Sequence, residues 1–170
     1  MTRYVALLRA VNVGGTGKLA MADLKALCGD AGFTGVETYI ASGNVIFDSK
    51  ASPSRVKSNL EKRLLDHIGK PVGVLVRTVS EMRDVLRGNP FPKAAPERTY
   101  AIFLDERPPS DALTTATGAR DEDMRLGARE IYVHYPGGMG RSKLKIPAAK
   151  SGTARNMNTV AKLVDLVLKP

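Results

Sequence analysis

VETYIASGNVIFD, residues 36–48, decides the fold. Two strand-like runs, VETYIA and NVIFD, are joined tightly at Ser42-Gly43-Asn44, where glycine supplies the positive φ that a short turn needs. Upstream, MADLKALCGDAGF (21–33) places Met21, Leu24, Leu27 and Cys28 at helical spacing and closes at Gly29 or Gly32. Before it, RYVALLRAV (3–11) is an apolar strand. Downstream, Ser52 caps a helix whose first position is Pro53, where a missing N–H is harmless. Val56, Leu60, Leu64 and Ile68 line its buried face, and VGVLVRT (72–78) closes the pattern as a strand. The order is βαββαβ, the split arrangement of ferredoxin-like folds.

The second half starts the same order again. A helix, SEMRDVLRG (80–88), leads into NPFPKAAPE (89–97), an irregular connector because each proline removes a backbone donor. RTYAIFLD (98–105) predicts a strand, PSDALTTATG (109–118) a helix, EDMRLG (122–127) a weak polar strand and EIYVHY (130–135) a strong one. Val160, Leu163, Val164, Val167 and Leu168 mark a closing helix. The expected architecture is therefore α+β, two ferredoxin-like halves related by structural duplication. Its boundaries are residues 1–79, a helix and proline-rich connector at 80–97, and 98–170.

A chain of 170 residues buries roughly 70% of its unfolded surface, so no metal or disulfide staple is needed. The apolar share of 43% and charged share of 25% describe a globular, ordered chain. Cys28 is the single cysteine, which cannot bridge internally and predicts a cytoplasmic setting. VALL is interrupted by Arg9, and VAKLVDLVLK carries Lys162 and Asp165, so neither end predicts a signal or a membrane partner.

The net charge of +9 is unevenly spread. From Ile131 to Val164 there is no acid, while Arg141, Lys143, Lys145, Lys150, Arg155 and Lys162 add six positive charges. The first 22 residues are acid-free too. That pattern favours anionic partners, a nucleic acid or a nucleotide among them.

Within GGMGRSKLKIPAAKSGTARNMNTV (137–160), three glycines allow close backbone approach. If the segment is extended, Arg141, Lys143 and Lys145 share one face and Ser142 and Leu144 the other. The last helix is expected to start between Thr153 and Asn158, capped by Thr153 or Asn156, with Lys150 and Arg155 beside its positive end. NVGGTGKLA fails as a P-loop: the leading glycine's place is Asn12, and Leu19 stands where a magnesium-binding hydroxyl belongs. Gly14, Gly15 and Lys18 still compose a turn able to hold an anion.

Catalytic groups are unassigned. His67 and His134 read as packing residues, Cys28 as core, and Asp121-Glu122-Asp123 as a solvated turn. Two histidines and one cysteine, far apart, give no metal spacing, and no cofactor is expected. Base stacking on the sheet is disfavoured because NVIFD offers only Phe47.

YVALLRAVNVGGTGKLAMADL, GFTGVETYIASGNVIF, NPF, GRSKL and GTARNMNTVAKL together resemble the bacterial family catalogued as domain of unknown function 1697. The resemblance implies a cytoplasmic α+β protein of two ferredoxin-like halves, and implies no activity. Met157 departs from the family pattern, where tryptophan is usual. Methionine there is either a lost stacking contact or an adaptable core residue.

The expected function is binding of an anionic ligand, a nucleic-acid backbone or a phosphorylated small molecule, in a basic cleft between the halves. Arg141, Lys143, Lys145, Lys150 and Arg155 supply charge, and Asn156 and Asn158 orient the ligand. An enzyme acting on a nucleotide-like substrate is the alternative, with Asn12, Lys18, Ser42 and Asn44 in its pocket. A protein-interaction module docking through the basic face is the third reading.

Overall fold

The computed structural model describes residues 1–11, 18–40 and 42–168. The chain divides into two compact units, Met1–Met82 with the residues from Leu163 onward, and Arg83–Lys162.

The first unit carries β1 (Thr2–Leu8), α1 (Met21–Asp30), β2 (Thr34–Tyr39), β3 (Asn44–Ser49), α2 (Pro53–Ile68) and β4 (Val74–Thr78). Its sheet has the order β2-β3-β1-β4 and is antiparallel throughout. Strand β1 is central, with Val5 facing Ile46 on one side and Arg77 on the other. Leu24 and Cys28 from α1, and Val56, Leu60 and Leu64 from α2, pack with Tyr4, Ala6, Leu8, Val45 and Phe47. Each fully buried leucine contributes about 1.5–3 kcal/mol relative to exposure. Val5, Leu7, Ile46 and Leu75, which alternate with these, are buried as well. Both faces of the central strands are thus removed from water, which explains their nearly unbroken apolar runs.

Local chemistry sets the ends of these helices. Ser52 caps α2 by accepting the Arg55 N–H, with Pro53 in its first position, and Gly69 ends it in the left-handed region. Ala31 caps the C-terminus of α1, and Gly32 follows at φ +86°; Gly29 lies inside the helix. Thr78 and Glu81 cap α3 (Val79–Arg87) reciprocally, each side chain accepting the other's backbone N–H.

The second unit carries β5 (Thr99–Phe103), β6 (Asp123–Leu126), β7 (Glu130–His134) and β8 (Thr153–Asn156) in the antiparallel order β6-β7-β5-β8. The helix α4 (Met157–Leu168) follows β8 directly. Ile102, Ile131 and Val133 pack with Ala112, Tyr135 and Ile146, so loops rather than helices cover this face of the sheet.

One expectation is corrected here. Residues 109–118 form hydrogen-bonded turns, not a helix. The Thr114 hydroxyl donates to the Asp111 carbonyl at 2.8 Å and that of Thr115 to the Ala112 carbonyl at 3.2 Å. Short hydroxyl side chains thereby hold carbonyls locally, and Gly118 at φ +76° ends the segment. Thr153–Asn156 is a strand paired with β5, and the last helix starts at Met157, within the expected range, with Asn156 rather than Thr153 as the cap of the two candidates. Among the described residues no helix is long and apolar enough to cross a membrane.

Candidate functional site

The basic loop is built on the end of β7. The Tyr135 N–H donates to the Arg98 carbonyl at 2.8 Å, and the Gly138 N–H donates to the Tyr135 carbonyl at 2.9 Å. Gly138 sits at φ +90°, a conformation open to glycine, and turns the chain into a 3₁₀ turn at Met139–Arg141. Thr117 and Lys145 then exchange both backbone hydrogen bonds, at 2.9 and 2.8 Å. Between these anchors Arg141, Lys143 and Lys145 are exposed, while Ser142 and Leu144 are half-buried and Ile146 is buried. Exposure alternates over 141–145, with Arg141 closing the 3₁₀ turn and the residues after it in irregular chain.

A second strip of chain braces the loop. The Ser142 hydroxyl donates to a Glu122 carboxylate oxygen and accepts the Leu144 N–H at 3.1 Å. The other Glu122 carboxylate oxygen accepts the backbone N–H groups of Arg120 and Asp121 at 2.7 and 3.0 Å. At Gly118 a Cβ would stand 2.1 Å from the Lys143 carbonyl oxygen, so only glycine permits this approach.

The two strips enclose an open recess of about 510 Å³. Arg141, Ser142 and Lys143 form one side with Gly137 and Gly138; Arg120, Asp121 and Glu122 form another, with Tyr135 between. Hydrogen bonding from Ser142, and then from the backbone, holds the Glu122 carboxyl down at about 2. Burial first, then the Glu122 charge and Tyr100, push the Tyr135 hydroxyl up to about 12. At neutral pH the recess presents three cations, two carboxylates and a neutral phenol. Among the described residues no three His, Cys, Asp or Glu side chains gather as metal donors.

The other sequence-derived positions fall elsewhere. Arg155 was expected to offer its charge to a ligand, but β8 buries it. Its guanidinium donates to the Thr153 hydroxyl at 2.8 Å and the Ala154 carbonyl at 2.9 Å, and burial pulls it down to about 10. Asn156 spends its side-chain oxygen on the Thr159 N–H at 2.9 Å, as the helix cap. Asn158 and Lys150 are exposed. Met157 is buried, the adaptable core residue of the two alternatives.

In the first unit Lys18 is exposed. The buried Asn44 donates to the Tyr39 carbonyl at 2.8 Å and the Ser42 hydroxyl at 3.0 Å, so this pair braces the β2–β3 turn. Asn12, Gly14 and Gly15 lie outside the described residues. His67, expected to pack, is instead exposed and meets Asp23 at 3.7 Å; His134 meets the Thr99 hydroxyl at 3.2 Å, and burial pushes the Cys28 thiol up to about 12.

Sequence reasoning overlooked Arg120, Asp121, Glu122 and Tyr135 as recess residues. The one available signal was the acidic run beside an arginine, which reads as a solvated turn until the fold sets it against an acid-free loop.

A family described as "Protein of unknown function (DUF1697)" matches residues 1–132. The conserved bacterial protein SP0830 from Streptococcus pneumoniae is similar in structure, with a TM-score of 0.81 at 26% identity, covering 98% of each chain. No curated protein matches the chain.

Proposed function

Taking as premise that the chain belongs to the DUF1697 family of proteins of unknown function, we propose that it binds a phosphate-bearing ligand at the recess of the second unit. The ligand is a phosphorylated small molecule or a nucleic-acid backbone. One observation carries this reading: Arg141 and Lys143 stand exposed on a loop fixed by the Ser142–Glu122 contact and the Thr117–Lys145 bridge. Bases held by a braced backbone lose less freedom on binding than bases on a free loop. Lys145 and Lys150 extend the positive field around it.

The fold reading goes with this proposal. Each unit is a ferredoxin-like half, and the two arose by duplication: β2-β3-β1-β4 and β6-β7-β5-β8 are the same order four strands apart. In the second half turns and loops stand in place of the crossover helices, and the loop after β7 forms one side of the recess. A cytoplasmic setting is proposed on the single buried thiol.

The test uses inorganic phosphate, followed by NMR on the labelled chain, and single-stranded RNA, followed by fluorescence anisotropy at two salt concentrations. Binding of either probe, weakened at least tenfold in R141A/K143A, supports the reading. Binding that this variant retains moves the site elsewhere, and no binding of either probe ends the proposal.

A further inference from the structure

We infer that the recess takes a mononucleotide rather than a polynucleotide, with its phosphate at Arg141 and Lys143 and a base edge rich in N–H donors on the carboxylate of Asp121. The inference rests on the phosphate reading above and adds to it the second half of the ligand.

A phosphate site gains nothing from an acid in its wall unless that acid holds the bases in place. Here Asp121 and Glu122 line the same recess as Arg120, Arg141 and Lys143, leaving a net charge of one positive. Glu122 is committed, since its carboxylate already accepts from Ser142 and from two backbone N–H groups. Asp121 is different. Its side chain is exposed and meets no hydrogen-bond or ion-pair partner among the described residues. An ionised carboxylate only accepts, and it suits two parallel N–H donors. Among nucleobases guanine presents that pattern, with its ring N–H beside the exocyclic amine, and adenine and cytosine offer an amine alone.

Size and field point the same way. A recess of about 510 Å³ lies within the roughly 300–1,000 Å³ of small-molecule sites. A polyanion laid across it would meet two carboxylates, one of them ionised well below neutral pH. Repulsion at those positions opposes a continuous phosphate track more than it opposes a single phosphate.

The experiment is a calorimetric titration of the full chain with GMP, ribose 5-phosphate and guanosine, repeated on D121N. The expected result is GMP bound at least tenfold more tightly than ribose 5-phosphate, with the gap closed in D121N. Ribose 5-phosphate itself should bind D121N as well as or better than the parent, because a repelling charge has gone. That opposite response separates a lost acceptor from a damaged fold.

Equal binding of GMP and ribose 5-phosphate would overturn this inference and leave the phosphate reading standing. Failure of GMP, ribose 5-phosphate and single-stranded RNA alike, or tighter binding of guanosine than of GMP, would remove the phosphate reading with it. A GMP preference that survives in D121N would overturn the assignment of the base edge to Asp121. Single-stranded RNA binding more tightly than GMP would transfer the site to a nucleic-acid backbone.

Discussion

At the scale of the residue, Glu122 shows how an acid can serve a basic loop. Three donors converge on its carboxylate, and one of them, Ser142, sits between the two bases that face the recess. The folded carboxyl is held at about 2 against an ordinary 4.5. A depressed folded value means that this group stabilises the fold above about 4.5, and that the contribution fades as pH falls toward 2. Urea midpoints of the parent and of E122Q should therefore differ most at neutral pH and converge as pH falls through that window. A gap that stays constant down to pH 3 would show that the carboxylate's charge is not what matters. Arg155 is the opposite case. Burial disfavours its charged form and lowers it to about 10, and its guanidinium is engaged within β8 by the Thr153 hydroxyl and the Ala154 carbonyl.

At the scale of the element, α4 depends on one side chain at its start. Asn156 ends β8 and caps α4 in the same position, accepting the Thr159 N–H at 2.9 Å. Asn156→Ala should lower stability by about 1 kcal/mol, read from chemical denaturation, whereas Asn158→Ala should change it by less than about 0.5 kcal/mol. Elements whose stop and start signals are local were legible from the sequence. Ser52-Pro53 sets the start of α2, and the apolar runs of β1 and β3 follow from burial on both faces. Elements defined by a distant partner were not. Thr153–Asn156 has little strand character of its own and becomes β8 by pairing with β5. Residues 109–118 have helical spacing, yet Thr114 and Thr115 turn their hydroxyls onto nearby carbonyls. The candidate site divides on the same line. The alternating exposure of Arg141, Lys143 and Lys145 is local to one segment and was readable, while the acids opposite them are brought there by the Thr117–Lys145 bridge and by Ser142.

At the scale of the whole molecule, the chain does not complete its units in order. Residues from Leu163 group with the first unit, although the entire second unit intervenes in sequence. Leu163, Val164 and Val167 are all buried. Losing about 1.5–3 kcal/mol for each is large against a typical folding margin of about 5–15 kcal/mol. Truncation after Lys162 should therefore abolish hydrogen-exchange protection in β1 and β3 while amides of β5 and β7 retain theirs; equal loss in both sheets, or in neither, would contradict that assignment. During synthesis the same arrangement imposes a delay. Everything needed for the sheet of Arg83–Lys162 has been made by the time Lys162 is added, while the earlier-made sheet still waits for Leu163 and the residues after it. The half made first is thus finished last, and the nascent chain must keep its strands from straying until the final helical turns arrive.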